Sequence, residues 1–196
     1  TNDLVNKSKK ISNNFSNAEY DVLVSSGEQV ACSLIAARLI HNGYKSRSWL
    51  GWQVPIITDY KYKNSKINLI KKNKIIKYLK SGGIPIVTGF QGINHEERIT
   101  TIGRGGSDSS AIMLAKFFKA ERCIIYTDVE GVYTTDPKKL EKAKKIRVIS
   151  YEEMLEMASL GAKVMQPVSI QDARLSRIDI EVRSSFKNKS GTLITK

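Results

Sequence analysis

Cysteine is nearly missing from this chain, and what there is of it forms no metal-binding or disulfide framework. The two cysteines, Cys32 and Cys123, lie far apart and in no metal-type spacing. They read as reduced, buried, small apolar residues of a cytoplasmic protein, and no protein-held metal is expected. No apolar run approaches the length of a bilayer span, and the first residues carry no signal-peptide pattern, so no membrane partner is expected. Internal repeats and low-complexity segments are absent. Acidic residues are scarce beside basic ones, 19 against 32, which gives a formal net charge of +13. Part of that excess is a run of lysines from Lys61 to Lys80, with Asp59 as the nearby acid. The run contains no arginine, only Tyr60, Tyr62 and Tyr78 as aromatics nearby, and no nucleic-acid motif. It reads as a solvated face that helps attract an anionic substrate, and no nucleic-acid partner is expected.

What is present is an ordinary globular composition: 196 residues, 41% hydrophobic and 26% charged, enough to bury one core. Strand and helix patterns alternate along it. Asn2 and Asp3 can cap a first short helix. Asp21 to Ser25 reads as a strand, followed by a helix opened by Ser26 and Gln29 at capping-box spacing. That helix runs to about Asn42, carries Ala31, Leu34, Ile35 and Leu39 on one face, and stops at Gly43. A strand is expected within 44–50, and 51–70 reads as a loop or hairpin. A helix over 71–80 should turn Ile75, Ile76 and Leu79 inward. Strands at 84–88, 98–102 and 122–127, a helix at 109–118, and a capping box at Ser150–Glu153 opening another helix follow. Pro167 can start a helix to about Ser176, and 179–183 is a late strand. The tail from Gly191 is a last strand or a linker. Such alternation implies an α/β fold with a mainly parallel sheet, whose ligands gather at the carboxyl ends of strands.

The richest stretch is Thr101-Ile102-Gly103-Arg104-Gly105-Gly106-Ser107-Asp108-Ser109-Ser110. Glycines between a strand and a helix let backbone N–H groups approach an anion. It matches neither the dinucleotide fingerprint nor the P-loop, and a tight turn alone would also explain it. Arg104 offers a planar fork for a carboxylate or phosphate. Asp108 can cap the helix that follows or orient a cation. Glu28, read as sitting at a helix start, is either a cap or a partner for an amine. Thr127, Asp128, Tyr133 and Asp136 lie in a polar loop after an apolar strand. They suit either a surface turn or a cradle for a ribose and base. Lys163, after Gly161-Ala162, is either solvated or a phosphate clamp.

Several motifs, taken in order, resemble the kinase domain of the aspartokinases in the amino-acid kinase family. They are Ser25-Ser26-Gly27-Glu28-Gln29, Arg47 to Gln53, Thr88-Gly89-Phe90-Gln91-Gly92, the glycine loop, Thr127 to Pro137, and Glu153 to Met165. The resemblance covers nearly the whole chain. It implies a three-layer αβα sandwich with a mainly parallel central sheet. It also implies ATP-dependent phosphorylation of the side-chain carboxylate of L-aspartate, the first step toward the aspartate-derived amino acids, with magnesium on the ATP. By the same resemblance Glu28 holds the substrate amine and Arg104 a substrate carboxylate. Ser107 and Asp108 shape the reacting site, with Asp108 orienting phosphate-binding lysines. Thr127, Asp128, Tyr133 and Asp136 line the nucleotide, and Lys163 neutralises the transferring phosphates. A homodimer is expected. The family's opening Lys-Phe-Gly-Gly-Thr-Ser strand and its C-terminal ACT domains find no counterpart, and Gln166 stands where the family often has histidine. The expectation is one kinase domain over residues 1–196, truncated at both ends, with little turnover by itself. A related kinase of glutamate, acetylglutamate or a nucleotide, and a non-catalytic remnant or basic binding module, are the competing readings.

Overall fold

A computed structural model describes residues 2–137, 139–162 and 164–196. The chain divides into two compact units, residues 1–110 and 111–196.

The first unit opens with α1 (Asn2–Ile11) and α2 (Asn17–His41). The strand expected at Asp21–Ser25 is instead part of α2. Its β-branched run was the misleading signal. The hydroxyls of Ser25 and Ser26 donate back to the carbonyls of Val22 and Leu23, which reconciles two poor helix formers with a helix interior. The expected capping box at Ser26 therefore does not exist, and Glu28 lies in mid-helix. The buried line of α2 is Val24, Cys32 and Ala36, while Leu34 and Ile35 from the expected face are exposed. Small buried residues let α2 lie close to β1 (Ser46–Trp49) and β4 (Ile84–Val87), which pair in parallel. By length and composition α2 could cross a membrane, yet its Asp21 is fully buried on this unit's own backbone.

The 51–70 excursion is a hairpin, β2 (Ile56–Thr58) against β3 (Ile67–Ile70). It belongs to a second sheet, ordered β3-β2-β5-β6, with β5 (Gln91–Ile93) parallel to β2 and antiparallel to β6 (Ile99–Thr101). Helix α3 (Asn73–Lys80) buries Ile75 as expected, but Leu79 faces solvent. Tyr78 takes the inward place. Its ring meets Trp49 edge-on at 5.7 Å and covers Gly83, where a Cβ would sit 2.4 Å from it.

The second unit holds a four-stranded sheet ordered β7-β9-β10-β8. Strands β7 (Arg122–Thr127) and β9 (Asp179–Ser184) run parallel, as do β8 (Val148–Ser150) and β10 (Thr192–Thr195), whereas β9 and β10 are antiparallel. The tail is thus a strand. Helix α4 (Gly106–Phe118) spans the boundary between the two units, and α5 (Tyr151–Ser159) and α6 (Pro167–Ser176) complete the second. Its core includes Ile112, Met154, Ile170, Ile180, Val182 and Ile194. The α/β class and the parallel pairings match the sequence reading.

At α5 the Ser150 side chain accepts from Glu153 N–H while Glu153 accepts from Ser150 N–H, the reciprocal cap expected from sequence. The Ser150 N–H and the Ser150 hydroxyl, which donates to Glu153 Oε2 at 2.7 Å, hold the Glu153 carboxyl below the usual carboxylate range. Ser150→Ala should cost about 1 kcal/mol, read as a lower denaturation midpoint with an unchanged slope. No change in midpoint would show that the cap contributes nothing. Both cysteines are buried and in no disulfide, and burial, helped by the Glu28 charge, pushes the Cys32 thiol up to about 11.

Candidate active site

The glycine loop joins β6 to α4 as the sequence implied. Gly103 (φ +76°) and Gly105 (φ +72°) both adopt the left-handed conformation that side chains disfavour. Gly103 is required twice over, since a Cβ there would lie 2.8 Å from Asn64 Oδ1. The Gly105 carbonyl accepts from Ser109 N–H, so α4 begins at Gly106, earlier than the expected Ser109. Between the two turning glycines Arg104 is exposed to solvent.

The segment after β4 closes on this loop. A Cβ on Gly89 would lie 3.3 Å from Ser107 Cα, and one on Gly106 would lie 2.8 Å from the Phe90 ring. Phe90 itself has φ +65°. Its N–H donates to Ser110 Oγ at 2.9 Å, and the Ser110 hydroxyl donates to the Gly106 carbonyl at 2.6 Å. The Phe90 carbonyl accepts from Ile102 N–H at 3.0 Å. The fully buried Gln91 then reaches α2: its Nε2 donates to the Ser25 carbonyl at 3.1 Å, and its Oε1 accepts from Gln29 Nε2 at 3.4 Å. The turn of α2 that carries Glu28 is thereby tied to the segment packed on the glycine loop.

Glu28, Arg104, Ser107 and Asp108 thus belong to one unit. Glu28 comes from mid-helix, which excludes both its capping reading and help from a helix terminus. Arg104 and Asp108 follow β6, whose partner β5 is antiparallel, so these residues are not at the end of a parallel strand. Glu28 and Asp108 are half-buried, and the side chains of Glu28, Arg104 and Asp108 have no hydrogen-bond or ion-pair partner among the described residues. Burial pushes the Asp108 carboxyl above the usual range. Unpaired charges half removed from water are poised for a ligand of opposite charge.

In the second unit Thr127 ends β7 and Asp128 follows, with Thr127 Oγ1 donating to Asp128 Oδ1 at 3.1 Å. The Thr127 carbonyl accepts from Ser185 N–H at 2.8 Å, which fixes the strand end against the end of β9. The loop then turns at Gly131 (φ +146°), whose Cβ would sit 2.6 Å from Thr192 Oγ1. That hydroxyl accepts from Val132 N–H at 2.8 Å and donates to the Ile146 carbonyl at 2.6 Å. Half-buried Tyr133 pairs with Lys145 in an antiparallel bridge, and Glu130 forms an ion pair with Lys187. Asp136 is exposed at a turn, its carbonyl accepting from Lys139 and Leu140. Thr127, Asp128 and Tyr133 therefore lie along one braced loop. Lys163 lies outside the described residues. A recess of about 380 Å³ between Ile146, Val148, Glu153, Met157 and Leu160 contains none of the expected site residues. Sequence reasoning gave no role to Asp21, Gln91 or Thr192. Only the adjacency of Gln91 to Phe90 and of Thr192 to Gly191 hinted at them.

A Gly-rich loop followed by an unpaired guanidinium and an unpaired, half-buried carboxylate offers charges that can hold a charged small molecule. The chain belongs to the amino acid kinase family, whose model matches residues 1–184. It is 48% identical to an aspartokinase of Geobacillus stearothermophilus over 194 residues, 99% of this chain and 48% of that protein. It is 47% identical to one of Rickettsia felis over 199 residues, 100% of this chain and 50% of that protein. The chain thus spans about half the length of these curated relatives. The structure of E. coli aspartokinase III in complex with aspartate and ADP superposes with a TM-score of 0.87 at 32% identity, over 100% of this chain and 44% of that one. Aspartate kinase from Synechocystis gives 0.86 at 38% identity, over 99% and 32%.

Proposed function

We propose that the protein carrying this chain transfers the γ-phosphoryl group of ATP to the side-chain carboxylate of L-aspartate, giving 4-phospho-L-aspartate and ADP. The observation that carries this is the unpaired Arg104 and Asp108 on and after the glycine loop, with the unpaired Glu28 in the same unit. The substrate brings an ammonium and an α-carboxylate, and Glu28 and Arg104 offer the opposite charges for these two groups. Glu28 receives the ammonium. Arg104 holds the α-carboxylate through two parallel N–H donors, leaving the side-chain carboxylate free to attack. Ser107 and Asp108, in the first turn of α4, border the reacting group. A side-chain oxygen forms the new bond to the γ-phosphorus as the bond to the ADP oxygen breaks. This chemistry needs placement and charge stabilisation more than covalent help from the protein.

Thr127, Asp128, Tyr133 and Asp136 are assigned to the nucleotide. The support is the braced loop, with a half-buried ring suited to stacking and hydroxyl and carboxylate oxygens suited to a ribose. Lys163 is assigned to the transferring phosphates by the family resemblance. Among the described residues no group of three His, Cys, Asp or Glu side chains is gathered for a metal. By the family resemblance, magnesium would be carried on ATP by phosphate oxygens and water, where it would neutralise phosphate charge. We assign the protein to the cytoplasm as a homodimer, with neither membrane nor nucleic acid as partner. For the dimer the support is the exposed Val30, Leu34, Ile35 and Ile40 on α2.

The test is phosphoryl transfer by the full-length protein with ATP, magnesium and L-aspartate, trapping the acyl phosphate with hydroxylamine. Aspartyl hydroxamate should accumulate in step with ADP. Hydroxamate formed from glutamate or acetylglutamate but not from aspartate would overturn the substrate assignment.

A further inference from the structure

Asp21 is an acid with no place in the proposed chemistry, yet it is fully buried and its carboxylate accepts from three donors. Lys63 N–H lies 3.1 and 2.9 Å from its Oδ1 and Oδ2. Thr101 N–H donates to Oδ2 at 2.8 Å, and the Thr101 hydroxyl donates to Oδ1 at 2.8 Å. These donors come from residues 42 and 80 positions away in sequence. They belong to the two pieces of chain that frame the glycine loop. Thr101 is the last residue of β6, three before Arg104. Lys63 sits in a turn at φ +65°, a conformation unfavourable for lysine, and its ammonium lies 4.5 Å from the centre of the Tyr20 ring. That turn backs directly on the loop. The Lys63 carbonyl and Asn64 Oδ1 lie 3.0 and 2.8 Å from where a Gly103 Cβ would be, and Ser65 N–H donates to the Thr101 carbonyl at 2.9 Å. One carboxylate therefore locks the wall behind the loop to the strand that feeds it. Hydrogen bonds to an ionised acceptor are the strong ones, and a buried one accepting on both oxygens holds its donors in place.

We propose that Asp21 is a positioning residue that fixes the Gly103–Gly105 turn through Thr101 and the Lys63 turn, and so aims Arg104 at the substrate carboxylate. The proposal rests on the assignment of Arg104 given above. Asp21 touches no substrate. Its effect is on geometry, and a shift of about 1 Å in a substrate-holding group is worth up to about 100-fold.

The test compares Asp21→Asn and Thr101→Val with the parent in the full-length protein. The first replaces an acceptor oxygen by an NH2 facing N–H donors. The second removes only the hydroxyl contact and keeps the fold of β6. In Asp21→Asn, KM for aspartate should rise about tenfold while KM for ATP stays within about twofold, with a shift in the same sense of about threefold in Thr101→Val. Amide hydrogen exchange across 101–106 should speed up in both variants, a readout that needs no turnover. A parent inactive on aspartate would refute the assignment of Arg104, and exchange would then still decide whether Asp21 holds the loop. Unchanged exchange across 101–106 overturns the proposal, as does a fall in kcat with both KM values unmoved, the pattern of fewer folded molecules. Should Asp21→Asn not fold, Thr101→Val decides by the same two readouts.

Discussion

Arg104→Ala should raise KM for aspartate about 100-fold, about 3 kcal/mol, while leaving KM for ATP within about twofold. The size follows from the contact proposed for Arg104. Two charge-assisted hydrogen bonds from one guanidinium to a carboxylate are lost together, each worth about 1.5–3 kcal/mol before the entropy of the freed side chain is counted. The selectivity follows from the proposed assignments. Arg104 sits on the loop of residues 103–105, whereas the nucleotide is assigned to residues 127–136. Stability should be untouched, because Arg104 is exposed and its side chain has no partner among the described residues. Arg104→Lys keeps the charge but not the fork and should fall between, at about tenfold. Steady-state kinetics with each substrate varied, beside a thermal melt, reads all of this. A proportional rise in both KM values would mean that Arg104 serves the phosphates, and the substrate assignment would fail with it.

The parts of the fold that were legible in the sequence are those decided by neighbours in sequence. Helix α6 begins at Pro167, where a missing N–H costs nothing, and α5 begins at a reciprocal Ser150–Glu153 cap. Strand β7 is a short β-branched run that ends where polar residues begin. The parts that were not legible are decided by distant partners. Val22, Leu23 and Val24 have the local character of a strand, but α2 runs through them, and from that helix Asp21 reaches Lys63 and Thr101. Nothing within ten residues of Asp21 reports those donors. Leu79 fitted the spacing of an inner face, but the larger ring of Tyr78 fills the space against Trp49. The site divides in the same way. Glycines, Arg104 and Asp108 announce themselves by type and spacing. Glu28 was visible as a candidate but its setting was misread, and the side chains that brace the loops, Gln91, Ser110 and Thr192, show their role only when their distant partners are known.

Gly191→Ala should be the most damaging single methyl in the second unit. A Cβ at Gly191 would sit 1.6 Å from the carbonyl oxygen of Val182 and 2.7 Å from its carbonyl carbon. Both are backbone atoms of β9, so no rotamer change relieves the overlap and the strand entering β10 must move. Overpacking by a methylene usually costs about 1–3 kcal/mol. An overlap this deep with backbone puts the expected loss at about 4 kcal/mol, or a melting temperature lower by about 10 °C. The damage should reach the loop assigned to the nucleotide, because the next residue, Thr192, supplies the hydroxyl that holds Val132 N–H and the Ile146 carbonyl. Affinity for ATP should therefore fall in whatever folds. Gly43→Ala is the matching control. It has nothing within 4 Å of its Cβ but a φ of +83°, so it tests conformational strain alone and should cost about 1 kcal/mol with ATP affinity unchanged. Calorimetric melts and ATP titration on the two variants separate the effects. If Gly191→Ala melts within a degree or two of the parent, β10 is not locked onto β9 as described, and the bracing of the Thr127–Tyr133 loop through Thr192 falls with it.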